Sequence, residues 1–167
     1  LETQTAEGYV RKTEPTAFSL AYVDGYTSPV FAVAGDINIT NPRQKVKVSV
    51  IKTDVDTGEN LRGAVIGLYT AEAVRNYAGN VIVPANTLLE SIETDAEGRA
   101  VFESDLPFGR YYVRELAAPD GYYLNDEAQY FAFEYTDDNT EIAEVILQIQ
   151  DKKKPEPAKS SHSGEPS

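Results

Sequence analysis

The sequence contains no cysteine, no methionine and no tryptophan, and one histidine in 167 residues. Without cysteine there are no disulfides, no thiolate metal ligands and no cysteine nucleophile, so any covalent staple must be of another kind. Compartment stays open on this count, because many exported bacterial proteins do without disulfides. Positive charge is also scarce: 15 Lys and Arg stand against 27 Asp and Glu, a formal net charge of −12. Such a field repels phosphate backbones and anionic lipid, so nucleic acid and membrane surfaces are not expected partners. No apolar run approaches the roughly 18 residues of a spanning helix, and no signal peptide is present. Membrane insertion is therefore not expected of this stretch. Leu1 in place of Met leads us to expect a fragment or a processed product. A phosphate loop, an HExxH helix and a serine elbow are all missing, and we expect neither an enzyme in the usual sense nor a cofactor or metal site.

What is present is alternation. Hydrophobic residues make up 41% of the chain, and they recur with the period of two that marks strands. Lys45 to Lys52 reads KVKVSVIK, and AVIGLY (64–69), RAVFE (99–103), RYYVRE (110–115), QYFAFEY (129–135) and IAEVILQIQD (142–151) look similar. Turn chemistry separates them at Asp56-Thr57-Gly58, Asp95 to Gly98, Pro107-Phe108-Gly109, Pro119-Asp120-Gly121 and Asp137-Asp138-Asn139. TAEAVRNY (70–77) reads as a short helix or a loop excursion. Short strands with regular turns predict an all-β antiparallel sandwich or barrel over residues 44–152. Beyond it the composition becomes Lys-, Pro- and Ser-rich, and residues 153–167 read as a disordered, extended linker. His162 lies in that tail, where a lone imidazole makes a poor ligand or base.

The chain also repeats itself. Glu2 to Tyr9 (ETQTAEGY) parallels Glu115 to Tyr122 (ELAAPDGY), and the same offset carries Gly8 to Gly121, Phe18 to Phe131 and Tyr22 to Tyr135. Farther on an offset three residues shorter carries Ile37 to Leu147, Ile39 to Ile149 and Asn41 to Asp151. Residues 1–43 thus read as the C-terminal part of a preceding copy, and neighbouring repeats of the same chain are the expected partners.

Strand phase exposes an anomaly. Val46, Val48 and Val50 share a face that continues to Lys52; Tyr111 and Val113 continue to Glu115; Val145, Leu147 and Ile149 continue to Asp151. Lys45, Lys47, Tyr112, Arg114, Gln148 and Gln150 fall on the opposite, solvated faces. One lysine and two acids therefore point inward, and Glu2 and Asn41 hold the equivalent phase in the earlier copy. Burying a lone charge is costly. Each group must escape to water at a strand end, join a buried salt bridge, or react. Desolvation disfavours charged forms. A neutral Lys52 amine would be a nucleophile toward the Asp151 carboxyl carbon, with a protonated Glu115 as proton shuttle. The product would be an amide between the first and last strands, with loss of water.

These residues sit in recognisable motifs. Tyr111 to Tyr122, YYVRELAAPDGY, resembles the E-box of Gram-positive pilins and adhesins, roughly Y-x-L-x-E-T-x-A-P-x-G-Y. VSVIKTDVDTGENLRGAVIGLY (48–69) resembles the opening of the same modules, and LQIQDKKK (147–154) their close. The resemblance is to the collagen-adhesin B-type (CnaB, SpaA-like prealbumin-fold) domain, over residues 44–152 with a partial copy at 1–43. It implies an immunoglobulin-like, prealbumin-like sandwich carrying a spontaneous isopeptide bond. Lys52 and Asp151 would be the linked pair and Glu115 the catalytic acid. Leu116 departs from the usual Thr, and Asp151 from the commoner Asn. Thr5 and Ala6 stand where the earlier E-box should have Ala-Pro. The lysine of the earlier copy is not in this sequence, so Asn41, the possible acceptor beside Glu2, should be unreacted. The resemblance further implies a structural stalk module, extracellular and either wall-anchored or secreted by a Gram-positive bacterium. Other domains of the parent protein would contact a host protein or glycan. Two alternatives stand beside it: an adhesin module that itself binds a host protein or glycan, and a transthyretin-like accessory domain of a secreted enzyme.

Two lesser patterns remain. DVDTG (54–58) faintly resembles the start of a calcium loop, but Val65 occupies the twelfth position where a Glu is needed, so a hairpin turn is expected. The 11 tyrosines would suit a carbohydrate site, and they suit strands equally well.

Overall fold

The structure, a computed structural model, describes residues 2–15, 17 and 40–158. The expected repeat pairs at Phe18, Tyr22, Ile37 and Ile39, and the histidine at 162, lie outside the described residues. Nine strands follow in order: β1 (Lys45–Asp54), β2 (Val65–Thr70), β3 (Val74–Arg75), β4 (Val81–Val83), β5 (Leu88–Glu93), β6 (Arg99–Phe102), β7 (Gly109–Ala117), β8 (Gln129–Phe133) and β9 (Ile142–Asp151). Two sheets form the sandwich, ordered β6-β1-β9 and β5-β2-β7-β8, and β3 and β4 make a separate hairpin.

The alternation seen in the sequence places the core. Val46, Val48 and Val50 of β1, Ala100 and Phe102 of β6, and Ile149 of β9 face Ile66 and Leu68 of β2, Tyr111 and Val113 of β7, and Phe133 of β8. Turns close as their side chains dictate. Asp54 Oδ1 accepts the amides of Asp56 and Thr57, so DVDTG is a turn. Asp137 Oδ1 likewise accepts from Asn139 and Thr140. Gly98 is required by its surroundings: φ is +70°, and a Cβ there would sit 2.6 Å from the Lys52 carbonyl oxygen.

Four features depart from the alternation pattern. Among the described residues every strand pairing is antiparallel except β1 with β9, which is parallel from Lys45↔Ile142 to Asp54↔Asp151. A parallel pair needs a long connection, and here the rest of the module supplies it. The 70–77 stretch forms no helix. It enters the β3–β4 hairpin, where Asn76 Oδ1 accepts the amides of Ala78 and Asn80 and so competes with helical pairing. Strand β5 had no clear alternation to announce it. Tyr112, expected in solvent, is 8% exposed. It stacks on Tyr69 with ring centroids 5.0 Å apart and meets Tyr130 at 5.2 Å. The outer face of the larger sheet thus carries an aromatic layer of its own.

Ile66, with no exposed surface, and Ile146, at 62%, test this layering. Ile66→Ala should cost about 2–5 kcal/mol and Ile146→Ala under about 0.5 kcal/mol in denaturant unfolding.

Candidate functional site

Lys52, Glu115 and Asp151 come together between the sheets, at 0%, 1% and 1% exposure. Each is the residue that follows an apolar run in phase: Val50 on β1, Val113 on β7, Ile149 on β9. The parallel register sets Lys52 opposite Ile149 and places Asp151 two residues farther along the neighbouring strand. A long side chain leaning along its strand reaches that diagonal position. Backbone bonds hold Lys52 in place, its amide donating to the Gly98 carbonyl and its carbonyl accepting from Leu61, at 2.8 and 2.9 Å.

Lys52 Nζ donates to Asp151 Oδ1 and lies 3.1 Å from Glu115 Oε1. That second approach lacks hydrogen-bond angles, and Glu115 Oε1 and Asp151 Oδ2 are buried with no other partner. Glu115 Oε2 accepts the Asn125 amide at 2.8 Å. Burial pushes the Glu115 carboxyl up to about 7, against the lowering influence of the Asn125 amide and of Lys52; its contact with Asp151 adds to the rise. The shift favours a protonated Glu115 within the buried cluster.

Asn125 was not evident from the sequence. Its contribution to Glu115 is a backbone N–H, which any residue offers; only its side-chain bond to the Gln150 carbonyl, 2.9 Å, needs an amide. Tyr122, the last residue of the E-box stretch, donates its hydroxyl to Asp54 Oδ2 at 2.9 Å and pins the β7–β8 connection to the end of β1.

The equivalent residues at the start of the chain also meet. Asn41 Nδ2 donates to Glu2 Oε1 and to Thr5 Oγ1, both at 2.7 Å, and the Lys12 amide donates to Glu2 Oε2 at 2.9 Å. Asn41 and then Lys12 hold the Glu2 carboxyl below its usual range, the opposite of Glu115. Three backbone bonds recur at the repeat offsets, Tyr9 to Ala6, Val10 to Pro42, and Gln44 to Gly8 matching Tyr122 to Pro119, Tyr123 to Lys152, and Lys154 to Gly121, and one amide-to-carboxylate bond recurs with them, Lys12 to Glu2 matching Asn125 to Glu115.

Among the described residues no group of His, Cys, Asp and Glu is arranged to hold a metal ion, and no helix is long and apolar enough to cross a membrane. A surface cleft is lined by Ala71, Glu72, Arg110, Tyr130, Phe131 and Ala132, near the start of β7 and away from the Glu115 end.

Residues 46–153 match the family model described as "SpaA: Prealbumin-like fold domain". No curated protein matches the chain. Among solved structures, the Bacillus anthracis TIE protein is 31% identical over 69% of this chain and 18% of its own, with a TM-score of 0.48. The group B streptococcus pilus 2b backbone protein is 24% identical over 69% of this chain and 43% of its own, at 0.49. The full-length major pilin SpaD from Corynebacterium diphtheriae is 19% identical over 66% of this chain and 32% of its own, at 0.46. The chain therefore spans less than half the length of each. With the greater part of its length covered by the matching model, the chain belongs to the SpaA prealbumin-like fold domain family.

Proposed function

We propose that residues 44–152 are a load-bearing stalk module of a Gram-positive surface adhesin or pilin, closed by an autocatalytic isopeptide bond between Lys52 and Asp151. The observation that carries the reading is the complete burial of one amine and two carboxyls in contact. Family membership and the recurrence of the Glu2–Asn41 pair support it.

The chemistry needs only these side chains. A proton moves from the Lys52 ammonium to the Asp151 carboxylate, giving a neutral amine beside a neutral acid. Glu115, protonated through burial, donates to the Asp151 carbonyl oxygen and polarises it. Lys52 Nζ attacks Asp151 Cγ. Glu115 takes a proton from the attacking nitrogen and delivers one to the departing hydroxyl. An amide and one water result, and Glu115 ends as it began. The reaction runs once per chain and never turns over.

The parallel β1–β9 pair explains why such a bond suits a stalk. Parallel strands leave the module's two ends at opposite poles, so tension applied at Lys45 and Lys152 shears β1 against β9. A Lys52–Asp151 amide would pass that tension from one strand to the other and leave residues 53–150 unloaded. The linked residues stand 99 positions apart. Closing a loop of that size removes unfolded-state entropy worth about 4–5 kcal/mol. Residues 1–43 would close a preceding copy, in which a lysine amine would attack the Asn41 side-chain carbonyl carbon and release ammonia, and 153–167 would be an extended linker.

Single-molecule stretching by the two ends should release no length from residues 53–150 in the wild type and the full module length in Lys52→Ala. Equal release from both chains would refute the load path. Bond formation in freshly synthesised, still unreacted chain should slow as pH rises above about 7, because Glu115 then loses the proton that it must donate. A rate unchanged across that range, measured by timed acid quench, would remove Glu115 from the reaction.

A further inference from the structure

The start of the chain makes contacts that the repeat does not explain. Bonds from Gln44 to Gly8 and from Val10 to Pro42 have counterparts at the other pole, as described above. The Arg11 amide, by contrast, donates to the Asp138 carbonyl at 2.7 Å. Its guanidinium donates to Asn139 Oδ1 at 3.1 Å and lies 3.6 Å from Asp138 Oδ2. Arg11 corresponds to Leu124, which is 52% exposed. Gly8, at φ +88°, lies flat against Phe108, so that a Cβ would fall 2.6 Å from the ring. The corresponding Gly121, at φ +83°, has nothing within 4 Å. One pole of the motif is occupied and the other is open.

The connecting residues have no slack. Asn41 is held by Glu2 and Thr5, and β1 begins at Lys45. Between them Pro42 accepts from Val10, and Arg43 bridges Tyr9 while its guanidinium donates to the Leu106 carbonyl at 3.0 Å and pairs with Asp105. Gln44, 3% exposed, donates its amide nitrogen to the carbonyls of Asp137 and Thr140. A connection whose last two residues, Arg43 and Gln44, are each bound on both sides cannot act as a flexible hinge.

We infer that consecutive modules meet in a fixed joint: the E-box turn of one module seats on the loop at 105–108 and the turn at 137–140 of the next. The occupant is another copy of this fold in the same chain. Arg11 supplies donors to the Asp138–Asn139 turn, and the glycine turn offers bare backbone to the Phe108 ring. Exposed ion pairs are individually weak and screened by salt; the backbone bond, the ring contact and the taut connection together set the angle. The inference rests on reading 1–43 as the end of an earlier copy. It does not depend on the Lys52–Asp151 bond.

Backbone relaxation and amide exchange on the intact 167-residue chain separate these claims. Exchange at Val10 and Gln44 reports the repeat, and motion at 8–11 reports the joint. In the wild type, residues 8–11 should tumble with β1, with order parameters near about 0.85. Gly8→Ala should lower them below about 0.6 without changing the mass of the chain beyond the substitution itself, whereas Arg11→Ala, which keeps the backbone bond to Asp138, should lower them less. Gly121→Ala imposes the same backbone strain without a ring to strike, and should leave residues 8–11 unchanged. The joint is overturned if residues 8–11 move independently of β1 in the wild type while Val10 and Gln44 stay protected. It is equally overturned if Gly121→Ala loosens them as much as Gly8→Ala does.

Discussion

The structure turns on one unfavourable act, the removal of a lysine and two carboxyls from water. Three ionised groups at 0–1% exposure could not be held in an apolar interior without compensation. The compensation visible here is arranged in layers. Lys52 faces Asp151 directly, Glu115 is pushed toward its neutral form, and the Asn125 amide and Gly98 carbonyl fix the strands that carry them. A neutral Glu115 lowers the charge buried in the cluster. A covalent amide between Lys52 and Asp151 would lower it further. The same desolvation that makes the cluster expensive as ions makes it reactive as neutral groups, so the energetic problem and its proposed solution have one origin.

That origin also shapes the fold around it. The cluster forms only because β1 and β9 lie side by side and parallel, with Asp151 two residues past the partner of Lys52. Parallel pairing of first and last strands is the geometry in which tension on the two ends becomes shear between neighbours. The proposed stalk function follows from strand direction, and the proposed crosslink would tie the two strands together. The taut connection at Pro42–Gln44 would extend the same economy to the proposed joint.

Much of this was legible in the sequence, because period-two alternation places side chains on faces without reference to topology. Val46, Val48 and Val50 led to Lys52, and Tyr111 and Val113 led to Glu115, in the sequence as in the structure. The turn chemistry of Asp54 and Asp137 was equally plain. Phase alone could not say which strands are neighbours or in which direction they run, so the parallel register of β1 and β9 was invisible, although a meeting of Lys52 with Asp151 was expected. Nor could it see a second apolar layer. Tyr112 lies on the outer face, where Tyr69 and Tyr130 cover it, and an alternation rule reads any outer residue as wet. Asn125 escaped because a backbone N–H leaves no mark on residue type. The helix-or-loop stretch at 70–77 was decided by one side chain, Asn76, bonding to its own turn.

The central claim is covalent, and the mass of the intact, folded chain tests it most directly. The account predicts that the wild type is lighter than its sequence by one water, and that Lys52→Ala, Glu115→Ala and Asp151→Ala each show full mass. A natively folded wild-type chain at full mass would contradict it and leave the buried trio as a salt bridge.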